Sequence, residues 1–437
     1  MMKLMFILFV LPAVLVVTGL SASAQTEDTL TEKERQLNEQ SFDMVWEIIN
    51  ERHFDTTFGG VDWQAAKEKH RPRLDTCDTQ DDARAIMNDL VNELGLSHFG
   101  VIPAEVLSSI GPEDNPIDRR GVTGMRVRSV DGNIVVFRVQ EDTPAEAAGV
   151  KPGWKVLSID GKSIEEILEP VREEFEDQPR GEFYLMSAAI RRLRGPIDDT
   201  TTVAFLDSTD DTVTVDLAFV PRPGKRVALG NLPPMYLSFG EDTLESGIGY
   251  FHFNCFFDPM SLIPSFQDFI EHNREAPGII IDVRGNPGGI VGISAGLPGF
   301  LIQEKNRRIG TYFTRDTELK MIVNPRPNSY RGPVAVLIDG LSASAAEFFA
   351  GGLKDLERAR LFGTRTAGAA LPATMEKLPN GDALLYVMAN YISAGGEALE
   401  GDGVSPHEKV ELSREALLDG RDPVIAAAVA WIQSQSE

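Results

Sequence analysis

Cysteine is almost absent from this chain of 437 residues, which contains only Cys77 and Cys255. Two cysteines cannot build the dense disulfide framework of a small secreted domain, nor the thiolate cluster of a structural zinc site. They either pair with each other or remain two buried thiols, and the sequence leaves both alternatives open. We therefore assign neither cysteine a function.

Basic residues are also in short supply. The chain has 42 Lys and Arg against 66 Asp and Glu, which gives a formal net charge of −24. A surface that binds nucleic acid or anionic lipid needs clustered Lys and Arg to neutralise phosphate groups. The charge balance therefore argues against both kinds of partner and is typical of a soluble acidic protein.

The prominent apolar run lies at the N-terminus, where Lys3 precedes Leu4 to Val17 and small residues follow up to Ala24. This layout is typical of a cleavable secretory signal, and the run is short for a membrane span. We predict a signal peptide over 1–24, cleaved after Ala24; an uncleaved N-terminal anchor is the alternative. The expected protein is exported, periplasmic or extracellular, with no membrane span after cleavage.

The periodicity of apolar residues divides the rest of the chain. Spacing of three and four residues predicts a helical module over 25–118, and short alternating runs predict β structure over 119–223. Residues 224–245 contain several Gly and Pro and are interpreted as a linker. Over 246–437, strands alternate with helices, which predicts an α/β core with a largely parallel sheet and ligands beyond its carboxyl strand ends.

Two motifs in this core indicate acyl transfer. In "LIDGLSASAAEFFAGGL", Ser344 lies where an apolar strand becomes an alanine-rich helix, a suitable position for a nucleophile. One strand earlier, "IIIDVRGNPGG" ends in glycines. The backbone N–H groups of Ala345 and of Gly288 or Gly289 are candidates for an oxyanion hole, although a tight turn alone also uses Gly-rich sequence.

A serine nucleophile needs a base, and the chain has six histidines. His98, in "ELGLSHFG", follows a predicted helix, so its side chain can point into a cleft. His252, in "IGYFHF", alternates with apolar neighbours and is equally well explained as a packing residue. The residues alone leave the identity of the base open.

The motifs together resemble a known family. "PAEAAGVKPGWKVLSIDG" is similar to the PDZ domain inserted in bacterial processing proteases, and a structural spacer is its alternative explanation. "DVRGNPGG", "LIDGLSASAAE", "GTRTAGA" and "LEGDGVSPH", in this order, resemble the C-terminal processing (tail-specific) protease and tricorn-core peptidase family. The resemblance implies a crotonase/ClpP-like α/β core with an inserted PDZ domain and an N-terminal helical module. It also implies Ser344 as nucleophile, Ser342 in support, and no cofactor or metal.

The resemblance also bears on the base. Tail-specific proteases use a lysine 25 positions after the serine, where this chain has Ala369; Lys354 and Lys377 do not match that position. Members similar to tricorn instead use a Ser-His pair before the PDZ domain, which corresponds to Ser97 and His98. Their further glutamate corresponds to Glu400, with Glu397 or Asp402 as alternatives.

The sequence therefore predicts an exported serine endopeptidase of the tricorn-like branch, with Ser344 as nucleophile and His98 as base. Its expected partner is a polypeptide, captured by its carboxyl terminus at the PDZ domain, which serves substrate capture or regulation. A non-catalytic ligand- or peptide-binding protein of the same fold is the alternative, and a PDZ scaffold leaves the serine corner unexplained. The sequence gives no oligomeric state.

Overall fold

The computed structural model describes residues 29–104, 120–175, 180–227, 235–244 and 247–435, so the predicted signal peptide lies outside the described residues. The helices are α1 Glu32–Arg52, α2 Trp63–His70, α3 Gln80–Asn92, α4 Pro144–Ala147, α5 Ile164–Phe175, α6 Gly181–Arg192, α7 Pro259–His272, α8 Val291–Gly296, α9 Ala345–Asp355, α10 Arg414–Leu418 and α11 Pro423–Ser434. Short 3-10 turns occupy Phe58–Gly60, Arg71–Thr76 and Leu297–Phe300.

The strands are β1 Gly100–Ile102, β2 Arg120–Val122, β3 Met125–Val130, β4 Asn133–Val139, β5 Lys155–Ile159, β6 Lys162–Ser163, β7 Arg194–Pro196, β8 Thr200–Leu206, β9 Thr212–Ala218, β10 Lys225–Val227, β11 Met235–Leu237, β12 Phe239–Thr243, β13 Gly249–Phe253, β14 Ile279–Asp282, β15 Arg307–Thr314, β16 Glu318–Val323, β17 Val334–Ile338, β18 Arg360–Gly363, β19 Ala373–Lys377, β20 Ala383–Val387, β21 Ala389–Ser393 and β22 Glu408–Lys409.

The core is built on a six-stranded sheet in the order β12-β13-β14-β17-β18-β22. All neighbouring pairs are parallel except β12 with β13. Every residue of β14 and β17 is buried, as expected for parallel strands covered by helices on both faces. The prediction of an α/β core with a largely parallel sheet is confirmed.

Helix α9 runs through the middle of this core. Its residues from Ala345 to Leu353 are all buried, as expected for a helix with small or apolar residues on nearly every face. A Cβ at Gly352 would lie 2.8 Å from Cβ of Ile309 on β15. The helix is therefore fixed in place, and so is its first turn.

The N-terminal module is joined to the core by a strand. Helices α1 and α3 begin with capping boxes at Thr31 and Thr79, and β1 then pairs with β20 of the core in antiparallel register. A buried ion pair reinforces the contact, since Arg84 donates to Asp382 with Nη2 2.9 Å from Oδ1. The segment that follows α3 is thereby held against the core.

We call residues 119–223 the inserted domain. Its antiparallel sheet has the order β3-β4-β5-β8-β9, and β6 pairs with β5 through a turn at Asp160 and Gly161. Helices α5 and α6 differ from the short β runs expected for this segment. Ile164, Ile167 and Leu168 are buried at helical spacing, a pattern that predicts α5 and that the sequence interpretation missed.

The predicted linker over 224–245 also differs from the structure. Strands β10 and β11 form an antiparallel pair there, and β12 is an edge strand of the core sheet. Phe239 on β12 packs on Phe251 of β13, so tertiary contacts override the loop-like composition of this segment. Within the described ranges, no helix has the length and hydropathy needed to cross a membrane.

Candidate active site

Ser344 is the N-cap of α9 and adopts a strained backbone conformation, with φ 54° and ψ −119°. This backbone conformation costs free energy for a residue other than glycine and persists only where the surrounding structure enforces it. Such outliers concentrate at functional sites. The turn before it is held by Ser342, whose hydroxyl donates to the carbonyl of Val283, 2.8 Å away. Ser344 is 1% exposed, and its Oγ has no hydrogen-bond partner within the described chain.

A buried carboxylate lies directly below Ser344. Oε2 of Glu347 accepts the N–H groups of Ser344 at 2.9 Å and Ala369 at 3.0 Å, and Oε1 accepts the hydroxyl of Thr366 and the N–H of Gly368. Burial raises the pKa of Glu347 to about 7, while the hydrogen bonds from Thr366, Gly368 and Ser344 oppose the rise. The sequence analysis did not identify Glu347, although Ser-x-x-Glu before an apolar run is a capping signal.

His98 is also buried, 1% exposed, and lies in the left-handed region with φ 62°. Its Nδ1 is 2.7 Å from Oγ of Ser97, which donates to Oε2 of Glu400 over 2.8 Å. Because the Ser97 hydroxyl has one proton and gives it to Glu400, Nδ1 must be the donor in the other contact. The neutral ring then carries its lone pair at Nε2, an atom without a partner in the described structure.

The same short backbone segment contacts both Ser344, whose Oγ has no partner within the described chain, and Glu400, which lies behind His98. The N–H of Ser344 donates to the carbonyl of Ala369, 2.9 Å away, and the N–H of Ala370 donates to Oε2 of Glu400 at 2.9 Å. Ser97 contacts that same oxygen. Two consecutive residues, Ala369 and Ala370, thus connect Ser344 to the hydrogen-bonded series formed by Glu400, Ser97 and His98.

The glycine loop differs in one respect from the prediction. A Cβ at Gly288 would lie 2.7 Å from Cβ of Ser344, so this loop does contact the serine. The N–H of Gly288, however, already donates to Oδ1 of Asn286 over 2.9 Å, in a turn of the kind that Asn side chains form with the residue two positions on. Gly288 is therefore not a free donor, whereas the N–H groups of Gly289 and Ala345 donate no hydrogen bond within the described residues.

The remaining candidates lie away from this constellation. Lys354 donates to the carbonyl of Ser405 at 3.0 Å, and Lys377 is exposed on β19. The side chains of Glu397 and Asp402 are exposed, so Glu400 is the acidic residue that reaches Ser97.

His252 lies on β13, opposite Asp282 of β14. Cys77 and Cys255 are two separate buried thiols. Within the described ranges, no group of three or more His, Cys, Asp or Glu is arranged to hold a metal ion.

Two sequence profiles match the chain. The profile described as peptidase family S41 covers residues 247–410, the segment with both core motifs and Glu400, and that of the tricorn protease C1 domain covers 35–92. The chain therefore contains a peptidase S41 domain and a tricorn protease C1 domain. The S41 domain identifies it as a serine-type peptidase.

Two curated relatives support this assignment. The chain is 26% identical to a carboxy-terminal-processing protease of Bartonella bacilliformis over 76% of its own length and 70% of the relative. It is 26% identical to a putative tricorn protease homolog 2 of Streptomyces coelicolor over 89% of its own length but 32% of the relative. The chain thus spans about a third of that second protein.

A solved structure extends the likeness to the fold. Mature CPAF superposes with a TM-score of 0.62 at 15% identity, covering 92% of this chain and 96% of CPAF. At this identity the comparison concerns the fold, and it indicates that the mixed α/β architecture is shared along nearly the whole chain.

The inserted domain covers the site from one side. Leu341 and Ala369 belong to the same buried apolar cluster as Val127 and Phe183 of the inserted domain. Arg128 of β3 also pairs with Asp339 in the serine turn, with Nε 2.7 Å from Oδ2. Ser344 and His98 are therefore closed off from solvent in the described conformation.

The burial of His98 predicts a pH dependence of stability. Burial, aided by the nearby Arg180 cation, lowers the pKa of His98 from its usual 6.5 to about 3. Between these values the unfolded chain binds a proton that the folded chain does not, so stability must rise with pH across this window. We expect wild type to lose about 2 kcal/mol of unfolding free energy relative to His98→Gln between pH 7 and pH 5, measured by urea denaturation. A difference that stays constant with pH would contradict a buried neutral imidazole.

Proposed function

We propose that this chain is an exported serine endopeptidase that hydrolyses peptide bonds of proteins or peptides, with Ser344 as nucleophile and His98 as base. The observation that carries the proposal is the pair of buried atoms without partners, Oγ of Ser344 and Nε2 of His98. Buried polar atoms are nearly always satisfied, and exceptions require an explanation. An attack in which one atom passes its proton to the other provides one.

The proposed reaction follows from the tautomer of His98. Oγ of Ser344 attacks the peptide carbonyl carbon, and its proton moves to Nε2 of His98. The resulting imidazolium keeps its Nδ1–H bond to Ser97, and Glu400 behind Ser97 stabilises the charge. His98 then protonates the leaving amine, and a water molecule deprotonated by His98 releases the acyl group.

The oxyanion needs preorganised donors. The N–H groups of Ala345 and Gly289 are the available pair. Ala345 follows Ser344, and Gly289 follows Gly288, which lies against Ser344. Neither N–H donates a hydrogen bond within the described residues. Loss of a single such donor typically lowers kcat by about a hundredfold or more. The backbone of the glycine loop is therefore part of the proposed machinery.

Replacing the proposed nucleophile or base tests this function directly. We expect Ser344→Ala and His98→Gln each to lower turnover of an unfolded protein, or of a mixed peptide library, by about a thousandfold or more. Lys354→Ala and Lys377→Ala are controls that leave turnover unchanged, since both side chains lie outside the site. A lysine variant that abolishes cleavage would refute the Ser-His assignment. Wild type without turnover would favour the non-catalytic binding protein.

We also propose that the core is crotonase/ClpP-like and that the inserted domain is a PDZ domain which binds a polypeptide carboxyl terminus. Strand β3 pairs with β4 alone in the described sheet, and α6 packs beside β3, so a helix lies next to an edge strand. Thr123, just before β3, is 1% exposed and its hydroxyl has no partner in the described chain. Strand addition at such an edge uses backbone hydrogen bonds.

Amidation of a substrate's carboxyl terminus tests this capture. A carboxylate makes charge-assisted hydrogen bonds worth about 1.5–3 kcal/mol, which an amide lacks. We expect the amidated form of a cleaved peptide to show a KM about tenfold higher, with kcat unchanged. Equal KM values for the two forms would contradict capture at the inserted domain while leaving the peptidase proposal intact.

Export completes the proposed function. It rests on the signal-like sequence over 1–24, which predicts a mature chain that begins at Gln25.

A further inference from the structure

Arg180 connects three separate parts of the chain at the candidate site. It is the N-cap residue of α6 in the inserted domain and is 7% exposed. Its Nη1 donates to Oε1 of Glu400 in the core over 2.8 Å, and its Nη2 lies 3.4 Å from the carbonyl of Gly95 in the N-terminal module. The inserted domain thus supplies a cation to the carboxylate behind the candidate base.

The cation of Arg180 is part of a hydrogen-bond network that fixes the carboxylate of Glu400. Oε2 accepts the hydroxyl of Ser97 and the N–H of Ala370, whereas Oε1 accepts the N–H of Ser97 and the guanidinium of Arg180. Both oxygens are therefore filled, and the carboxylate has one orientation. Without Arg180, Oε1 would keep a single donor, and a partly buried negative charge would lose its counterion.

The charges around His98 come from two directions. Glu400 lies behind Ser97 on the core side, with the buried Glu347 near it, and Arg180 reaches in from the inserted domain. The cation disfavours protonation of His98, since it contributes to the lowered pKa of the ring. Removal of Arg180 would change both the position of Ser97 and the field at the ring.

We propose that Arg180 is a positioning residue that the inserted domain supplies to hold Glu400, and through Ser97 the ring of His98, in the orientation required for catalysis. The proposal rests on the proposed function of Ser344 and His98. It makes docking of the inserted domain a condition for a competent base, in addition to any role of that domain in peptide capture.

The kinetic test compares Arg180→Gln, Arg180→Lys and Arg172→Gln. Arg172 is a matched control because it belongs to the same domain and forms an exposed pair with Glu169. For Arg180→Gln we expect kcat/KM on the pH plateau to fall on the order of a hundredfold, as misplaced catalytic groups do. We also expect the acid limb of the profile to move up by about one pH unit, because the cation near His98 is gone. Arg172→Gln should match wild type.

The lysine variant separates charge from geometry. Arg180→Lys keeps the cation but cannot make the two-sided contact with Glu400 and Gly95. We expect the acid limb of its profile to stay near that of wild type while its plateau is lowered. If Arg180→Gln does not fold, the Arg180→Lys variant provides the kinetic test. A lowered plateau with an unmoved acid limb in Arg180→Gln would overturn the proposal, because a merely structural contact would give that result.

A second readout does not depend on activity. Nitrogen NMR of labelled histidine reports the tautomer of His98 and the pH at which it titrates. We expect the Nδ1–H tautomer in wild type, and titration at a higher pH in Arg180→Gln. Unchanged His98 signals in that variant would refute the role of Arg180 even if wild type had no peptidase activity, whereas shifted signals without activity would refute only the proposed function.

Discussion

The rest of the site depends on the hydrogen bonds that the carboxylate of Glu400 accepts. It accepts hydrogen bonds from the N–H and hydroxyl of Ser97, the N–H of Ala370 and the guanidinium of Arg180. These donors come from the N-terminal module, the core and the inserted domain. A carboxylate accepts hydrogen bonds without donating any, so its four donors fix the direction of the Ser97 hydroxyl and, with it, the tautomer of His98.

The second constraint is the burial of the site. Ser344 and His98 are each 1% exposed, and the serine turn packs into the apolar cluster of the inserted domain. Inside such an enclosure hydrogen bonds and charges act more strongly than in water, and a preorganised arrangement needs little reorganisation during the reaction. The contact with the inserted domain therefore contributes to the enclosure of the site.

Local sequence predicted much of this arrangement, and tertiary contacts account for the rest. Buried apolar runs identified β14 and β17, and the corner between strand and helix identified Ser344. The sequence does not distinguish the N–H of Gly288 from that of Gly289, because the side-chain direction of Asn286, which accepts the N–H of Gly288, cannot be read from it.

Arg180 was missed for a different reason. Its partner lies 220 residues away, and no periodicity connects the two. The loop-like composition of 224–245 likewise concealed β12, whose pairing with β13 decides its structure.

The proposed mechanism depends on Oγ of Ser344 and Nε2 of His98 acting on the same peptide bond, the first as nucleophile on its carbonyl carbon and the second as the base that takes the serine proton. A peptidyl chloromethyl ketone tests it directly, because its carbonyl adds the serine oxygen while its methylene carbon alkylates the base, with loss of chloride. Peptide mapping of the treated protein should find His98 alkylated at Nε2, and Ser344→Ala should prevent the labelling. Alkylation of another residue, or of His98 at the same rate without Ser344, would contradict a shared site.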